Sequence, residues 1–169
     1  MSNNDLKVAL KEAGNRVAPI IIIDTREKKP YGFSGEHDTI NISLEAGDYS
    51  IQGLEAEVMI ERKTLHDLVR CVGSDRKRFM KQMRRLIKIP QCMLLVESSW
   101  KEIQKGGWRA HRVRPSHVEG TLLAVCGMGV PVIMGENRAT SQRLAEKFLV
   151  GACRRYELKR LFDQDSRTG

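Results

Sequence analysis

The chain has 169 residues, 41% hydrophobic and 30% charged, enough for one domain with its own core, which excludes a mainly disordered protein. Twenty-nine Lys and Arg against 21 Asp and Glu leave a formal charge of +8 and a pI near 9.5, a surplus that favours an anionic partner, nucleic acid first. The longest apolar run, Val17 to Ile23, is far below the roughly 18 residues of a membrane span. The start, Met-Ser-Asn-Asn-Asp, lacks the basic flank and apolar stretch of a secretion signal. An intracellular protein is expected, in cytoplasm or nucleoid, or in the nucleus of a eukaryote, with no membrane partner.

Residues 1–16 are predicted to be an N-terminal extension, with a short helix over 5–14 that Gly14 ends. The apolar run Pro19 to Ile23 suits a strand buried on both faces. A polar loop follows, Thr25 to Asp38. Thr39–Leu44 and Asp48–Ile51 read as short strands around a turn at Ala46-Gly47. Glu57–Lys63 is a further strand. Thr64 caps a helix to Val72, which Gly73-Ser74 breaks. A second helix, from Asp75 to Ile89, has Ser74 as a candidate cap, and Phe79, Met83, Leu86 and Ile87 are its expected buried stripe. Gln91–Glu97 is a buried strand. Residues 98–116 read as irregular and basic, and hold both tryptophans. Val118–Met128 is helical and Pro131–Met134 a strand. A long amphipathic helix from Ala139 to about Leu161 buries Leu144, Phe148, Leu149, Ala152 and Tyr156. Residues 162–169 form a flexible tail. Several strands first, then alternating strands and helices, imply an α/β fold, a central mixed β-sheet flanked by helices.

The four cysteines, Cys71, Cys92, Cys126 and Cys153, make no C-x-x-C pair and no cluster with histidine. They read as reduced packing thiols rather than a zinc site. His37, His66, His111 and His117 are scattered, and no Gly-rich phosphate loop is present, so ATP is not expected.

The acids sit at strand ends. Asp24 ends the I-I-I-I strand, Asp48 lies in Gly47-Asp48-Tyr49, and Glu61 and Lys63 lie in I-E-R-K. Side chains alternate along a strand, so Glu61 and Lys63 share a face and Arg62 points away, with the two α-carbons about 6.7 Å apart. Twelve residues separate Asp48 from Glu61, a gap a hairpin closes. Carboxylates that hold Mg²⁺ through oxygen, beside a lysine, are what phosphodiester hydrolysis requires. The lysine can orient or deprotonate the attacking water, or offset transition-state charge.

Gly47-Asp48-Tyr49, Ile60-Glu61-Arg62-Lys63 and Asp67 together spell G-D-Y…I-E-R-K-x-x-x-D, and Ile23-Asp24-Thr25-Arg26-Glu27 precedes them. This string resembles the nuclease domain of the XPF family of structure-specific DNA endonucleases. Asp75-Arg76 with Phe79 and Gln82, Met93 to Glu97, Val118-Glu119-Gly120 and Pro131-Val132-Ile133 extend the resemblance, which covers about 19–157 and gives a nuclease domain over 17–161. It implies a restriction-endonuclease-like core. It also implies that Asp24, Asp48 and Glu61 surround Mg²⁺ or Mn²⁺, with Lys63 as the catalytic lysine. Arg62 would act near the scissile phosphate or brace the site. Asp67 and Glu27 would complete the acidic cluster, and Arg26 would support it and contribute to DNA binding. The implied substrate is branched DNA: flaps, forks or nicked junctions. The helix-hairpin-helix domain usual in the family is not expected within these residues, and Cys126-Gly127-Met128-Gly129-Val130 reads as a turn. A homodimer, and a separate partner that supplies DNA binding, both stay open.

Other readings accompany these. Thr64-x-x-Asp67 also resembles a capping box, a role compatible with catalysis. The helix from Asp75 carries Arg76, Lys77, Arg78, Lys81, Arg84, Arg85 and Lys88, expected to contact phosphates. Lys101, Lys105, Arg109, Arg112 and Arg114 with Trp100 and Trp108 suit unpaired bases, or else a surface loop. The rivals to an active endonuclease of branched DNA are a catalytically silent DNA-binding scaffold, a resolvase or restriction-type nuclease, and a general anion-binding protein.

Overall fold

The computed structural model describes residues 18–33, 37–108 and 112–168. The helix expected over 5–14, Arg109 and His111 lie outside the described residues. Six strands form one sheet: β1 (Ile21–Asp24), β2 (Thr39–Ile42), β3 (Tyr49–Ile51), β4 (Val58–Thr64), β5 (Gln91–Glu97) and β6 (Val132–Met134). Their order is β2-β1-β3-β4-β5-β6. β3 runs antiparallel to both β1 and β4, and the other neighbours are parallel, so the sheet is mixed as expected.

Among the described residues five helices cover it: α1 (Leu65–Val72), α2 (Arg76–Leu86), α3 (Trp100–Lys105), α4 (Pro115–Gly127) and α5 (Arg138–Thr168). Strand alternation divides the core between the two faces. Ile22, Met59, Leu94 and Val96 meet α1, α2, α3 and α4 through Leu68, Phe79, Met83, Ile103 and Leu122. Ile21, Ile23, Ile60 and Leu95 meet α5 through Ala145, Leu149 and Ala152. β1 is buried along its whole length, which is why it reads as an unbroken apolar run. β2, at the edge, is mostly exposed.

The helix ends follow local chemistry. The Thr64 hydroxyl accepts from the Asp67 N–H and caps α1, as predicted. α2 starts behind Asp75, not Ser74, and Asp75 makes no side-chain cap bond; its carboxylate takes Arg70 and Arg78 instead. Ile87 falls outside the buried stripe, 37% exposed.

The segment 98–116 is not irregular throughout. Ser99 accepts from the Glu102 N–H and starts α3, an S-x-x-E signature that the density of basic residues obscured. α4 begins earlier than Val118, with Pro115 in its first turn, where its missing N–H costs nothing. α5 continues past Leu161 to Thr168. The G-x-G after α4 is a turn, with Gly129 at φ +96°.

Candidate active site

Three adjacent strands bring the acids together. Ile23 pairs with Tyr49 and Tyr49 with Ile60. Extending each antiparallel register by one residue puts Asp48 beside Asp24 on one side and Glu61 on the other. Backbone bonds hold the arrangement: Asp24 N–H donates to Asp48 O at 2.9 Å, and Asp48 N–H to Ile60 O at 2.7 Å. Gly47 makes the approach feasible. Its φ is +74°, and a Cβ there would stand 2.5 Å from Met59 Cγ and 2.9 Å from Ile60 O, so a side chain is excluded.

Asp48 and Glu61 form the chemically strained part. Asp48 Oδ2 accepts from the Arg62 N–H at 2.7 Å. Glu61 is 1% exposed, and its oxygens accept from Lys63 Nζ and, at 2.6 Å, from Gln82 Nε2. Burial and the neighbouring Glu61 charge push the Asp48 carboxyl up to about 8. Burial also raises Glu61, against the pull of Lys63. Half-buried Asp48 and buried Glu61, two carboxylates of like charge, hold a proton reluctantly shed, and a divalent cation would relieve the same repulsion. Burial works to lower Lys63, but the charges of Glu61 and Asp48 outweigh it and hold the ammonium above the ordinary lysine value. Of the roles open to Lys63, charge compensation fits this setting; proton abstraction requires the neutral amine.

Asp24 is engaged differently. It is 1% exposed, and its Oδ1 accepts from Arg26 N and Nε at 2.9 and 2.7 Å. Oδ2 accepts from Leu44 N at 2.7 Å and Arg26 Nη2 at 3.0 Å. Burial opposes ionisation, yet Arg26 and the two N–H groups hold the carboxyl below the usual aspartate range. Arg26 also donates to Leu44 O at 2.7 Å. The pair ties β1 to the segment after β2.

Arg62, on the opposite face of β4, is a brace. It donates to Glu97 from Nε at 2.7 Å and pairs with it through Nη2 at 2.5 Å. Its Nη1 donates to Glu27 at 3.1 Å and to Lys29 O at 3.0 Å. The guanidinium lies 4.8 Å over the Tyr31 ring, which stacks on Tyr49 at 5.2 Å. Burial lowers the guanidinium's affinity for its proton, but Glu97 and the other acids more than restore it. The second Glu27 oxygen accepts from Lys29 N at 2.8 Å. Arg138, in the first turn of α5, donates to Lys29 O at 3.1 Å and Pro30 O at 2.6 Å. The loop after β1 is therefore fixed from three elements.

Above the acids a cleft of about 300 Å³ opens among Asp48, Lys63, Asp67, Arg62, Glu27 and Lys29. Asp67 lines it while accepting from the Thr64 hydroxyl at 2.7 Å, so cap and cleft wall coincide. A larger hollow of about 830 Å³ between β2 and the end of α2 touches Leu44, Met59 and Arg85, away from the acid cluster. On α2, Lys77, Lys81, Arg84 and Arg85 are exposed. Arg78 pairs with Asp75 and Arg76 is tied to the Thr121 hydroxyl at 2.6 Å.

Sequence reasoning assigned no role to Glu97, Tyr31 or Gln82. Glu97 is an acid ending an apolar strand, a signal present in the chain. Its partner Arg62 lies 35 residues away, reachable only through the parallel register of β4 and β5. Gln82 sits on the same side of α2 as Phe79, one polar residue in a buried stripe.

The donor set decides the fit to a divalent cation. Among the described residues no group of three or more His, Cys, Asp or Glu side chains is arranged to hold a metal ion. The two carboxylates Asp48 and Glu61 do fit Mg²⁺, which is commonly held by one or two carboxylates and otherwise by water. Asp24 does not add a third, because each of its oxygens already accepts two hydrogen bonds, whereas each Glu61 oxygen accepts one.

The fold, a mixed six-stranded sheet flanked by helices, is that of an XPF-type domain, and comparison with known proteins agrees. The ERCC4 domain matches residues 23–148, and the chain belongs to that family. XPF from Aeropyrum pernix has a similar structure, with a TM-score of 0.62 at 19% identity over 85% of this chain and 70% of the other. A putative ATP-dependent RNA helicase of Methanocaldococcus jannaschii is 30% identical over 119 residues; these are 69% of this chain but only 14% of that protein. No helix among the described residues is long and apolar enough to cross a membrane.

Proposed function

We propose that this chain is a Mg²⁺- or Mn²⁺-dependent endonuclease that hydrolyses phosphodiester bonds in branched DNA during repair, recombination or replication. The observation that carries the reading is the pairing of half-buried Asp48 with buried Glu61, with Lys63 beside them, where Asp48 and Lys63 line a cleft rimmed by Arg26, Lys28 and Lys29.

Asp48 and Glu61 are the residues that would hold the cation. When bound, it supplies Lewis-acid polarisation of a phosphoryl oxygen and makes water more acidic. Lys63 stays cationic and offsets the charge that builds on the phosphoryl oxygens. Gln82 and Lys63 fix the two Glu61 oxygens, so the carboxylate would meet the cation in one orientation. Arg62 does not touch the reacting atoms; with Glu97 and Glu27 it holds the loop that carries the rim lysines. Water attacks phosphorus directly, and family resemblance gives 5′-phosphate and 3′-hydroxyl ends.

The test is a panel of end-labelled duplex, 3′-flap, fork and four-way DNA, incubated with Mg²⁺ or with EDTA. Metal-dependent cutting, faster on branched DNA, is expected. Tight binding with no cutting of any member would favour the silent scaffold instead.

A further inference from the structure

Away from the cleft, α5 carries a second basic feature that the catalytic reading does not use. A cavity of about 340 Å³ lies between α5 and His37, with Arg143, Lys147, Arg154 and Glu146 in its wall. On a helix, positions 143, 147 and 154 fall within about 40° of one another, so the three cations share a face. Arg143 and Lys147 are exposed and sit four residues apart, where like charges destabilise a helix. Helix stability alone does not favour that placement; a bound anion does.

The opposite wall gives the independent observation. The His37 side chain is 10% exposed and its Nε2 lies 3.5 Å from Glu146 Oε1. Among the described residues its Nδ1 has no hydrogen-bond partner. Unpaired buried polar atoms are rare, and each asks for a ligand or a solvent partner. A ligand, or a water that bridges to a phosphate oxygen, would give Nδ1 the partner it lacks.

Position selects the ligand. α5 starts at the cleft, where Arg138 and Gln142 hold the carbonyls of Lys29, Pro30 and Gly32. From Arg138 the helix rises about 24 Å to Arg154. Duplex DNA leaving the cleft along α5 would cover that distance in roughly seven base pairs.

We infer that His37, Arg143, Lys147 and Arg154 form a second phosphate-binding site, which holds the backbone of the duplex arm beside the cleft. The inference rests on the endonuclease reading only for the identity of the ligand. These residues position the substrate and are not catalytic.

The test uses anisotropy of a fluorescein-labelled duplex in EDTA, so that no cleavage is required. Arg143→Ala/Lys147→Ala is expected to weaken binding roughly tenfold and to flatten the plot of log affinity against log salt by nearly two units, at about 0.9 per lost contact. His37→Phe fills the same space without the nitrogen. It is expected to weaken duplex binding while the urea midpoint holds or rises, because an unpaired buried atom is removed; a merely structural His37 would lower the midpoint. Wild-type affinity and salt slope in both variants would overturn the site, and continued cleavage would leave the nuclease reading standing. Loss of binding in the variants of a protein that never cuts would do the reverse. Orthophosphate that shifts the His37 NMR signals, with duplex affinity unchanged in the variants, would assign the cavity to another phosphate source and overturn the DNA ligand.

Discussion

Asp48→Asn should change how stability depends on pH. In the folded, metal-free protein the Asp48 carboxyl is pushed up to about 8 by burial and by Glu61, against an ordinary value near 3.8 in the unfolded chain. Below about pH 4 both states hold the proton, and stability does not vary with pH through this group. Between there and about pH 8 the folded state keeps a proton that the unfolded state has released. Stability therefore falls as pH rises, by about 1.4 kcal/mol per pH unit. From pH 5.5 to about 7.5 the loss is about 3 kcal/mol. With a urea slope of about 2 kcal/mol per molar, the midpoint drops by roughly 1.5 M. An asparagine amide cannot ionise, so the variant should lack this component and be the more stable protein at about pH 7.5. The proton belongs to the Asp48–Glu61 pair, so excess Mg²⁺ should flatten the wild-type profile as well. The assay is urea unfolding in EDTA at several pH values. Parallel profiles for wild type and Asp48→Asn would refute the account of the pair.

Other perturbations separate bracing from chemistry. Arg62→Ala leaves Glu97 and Glu27 without their cation and should cost about 3 kcal/mol in urea unfolding; Glu97→Leu added to Arg62→Met should recover part of it. Gln82→Leu removes a donor to Glu61 and should lower cleavage roughly tenfold or more with the fold intact, measured under single turnover. Gly47→Ala forces a side chain onto Met59 and Ile60 at positive φ, and is expected to destabilise by about 2 kcal/mol or more by thermal unfolding. Thr64→Ala removes the α1 cap and should cost about 1 kcal/mol, read from the same urea or thermal transition.

The parts legible in the sequence are those whose causes are local. β5 matches its apolar run from Gln91 to Glu97, because a strand buried on both faces leaves an unbroken signal. The Thr64 cap is written in four consecutive residues. The hairpin spacing that sets Asp48 beside Glu61 agrees with the observed register. α3 escaped because the basic residues around it masked the Ser99 and Glu102 signal. Arg62 was open between two roles because its partners Glu97, Glu27 and Tyr31 come from three separate segments. Likewise, nothing along the chain shows that Leu44 and Arg26 occupy both oxygens of Asp24. Both questions turn on contacts between distant parts of the chain, and only the strand order decides them.

The decisive experiment is single-turnover cleavage of an end-labelled 3′-flap in Mg²⁺ by wild type, Asp48→Asn and Lys63→Ala, each shown to be folded by circular dichroism. Metal-dependent cutting by wild type is expected, with a fall of roughly a hundredfold or more in each variant. Wild-type rates in either variant, with contaminating nuclease excluded, would contradict the assignment of Asp48, Glu61 and Lys63 as the catalytic centre.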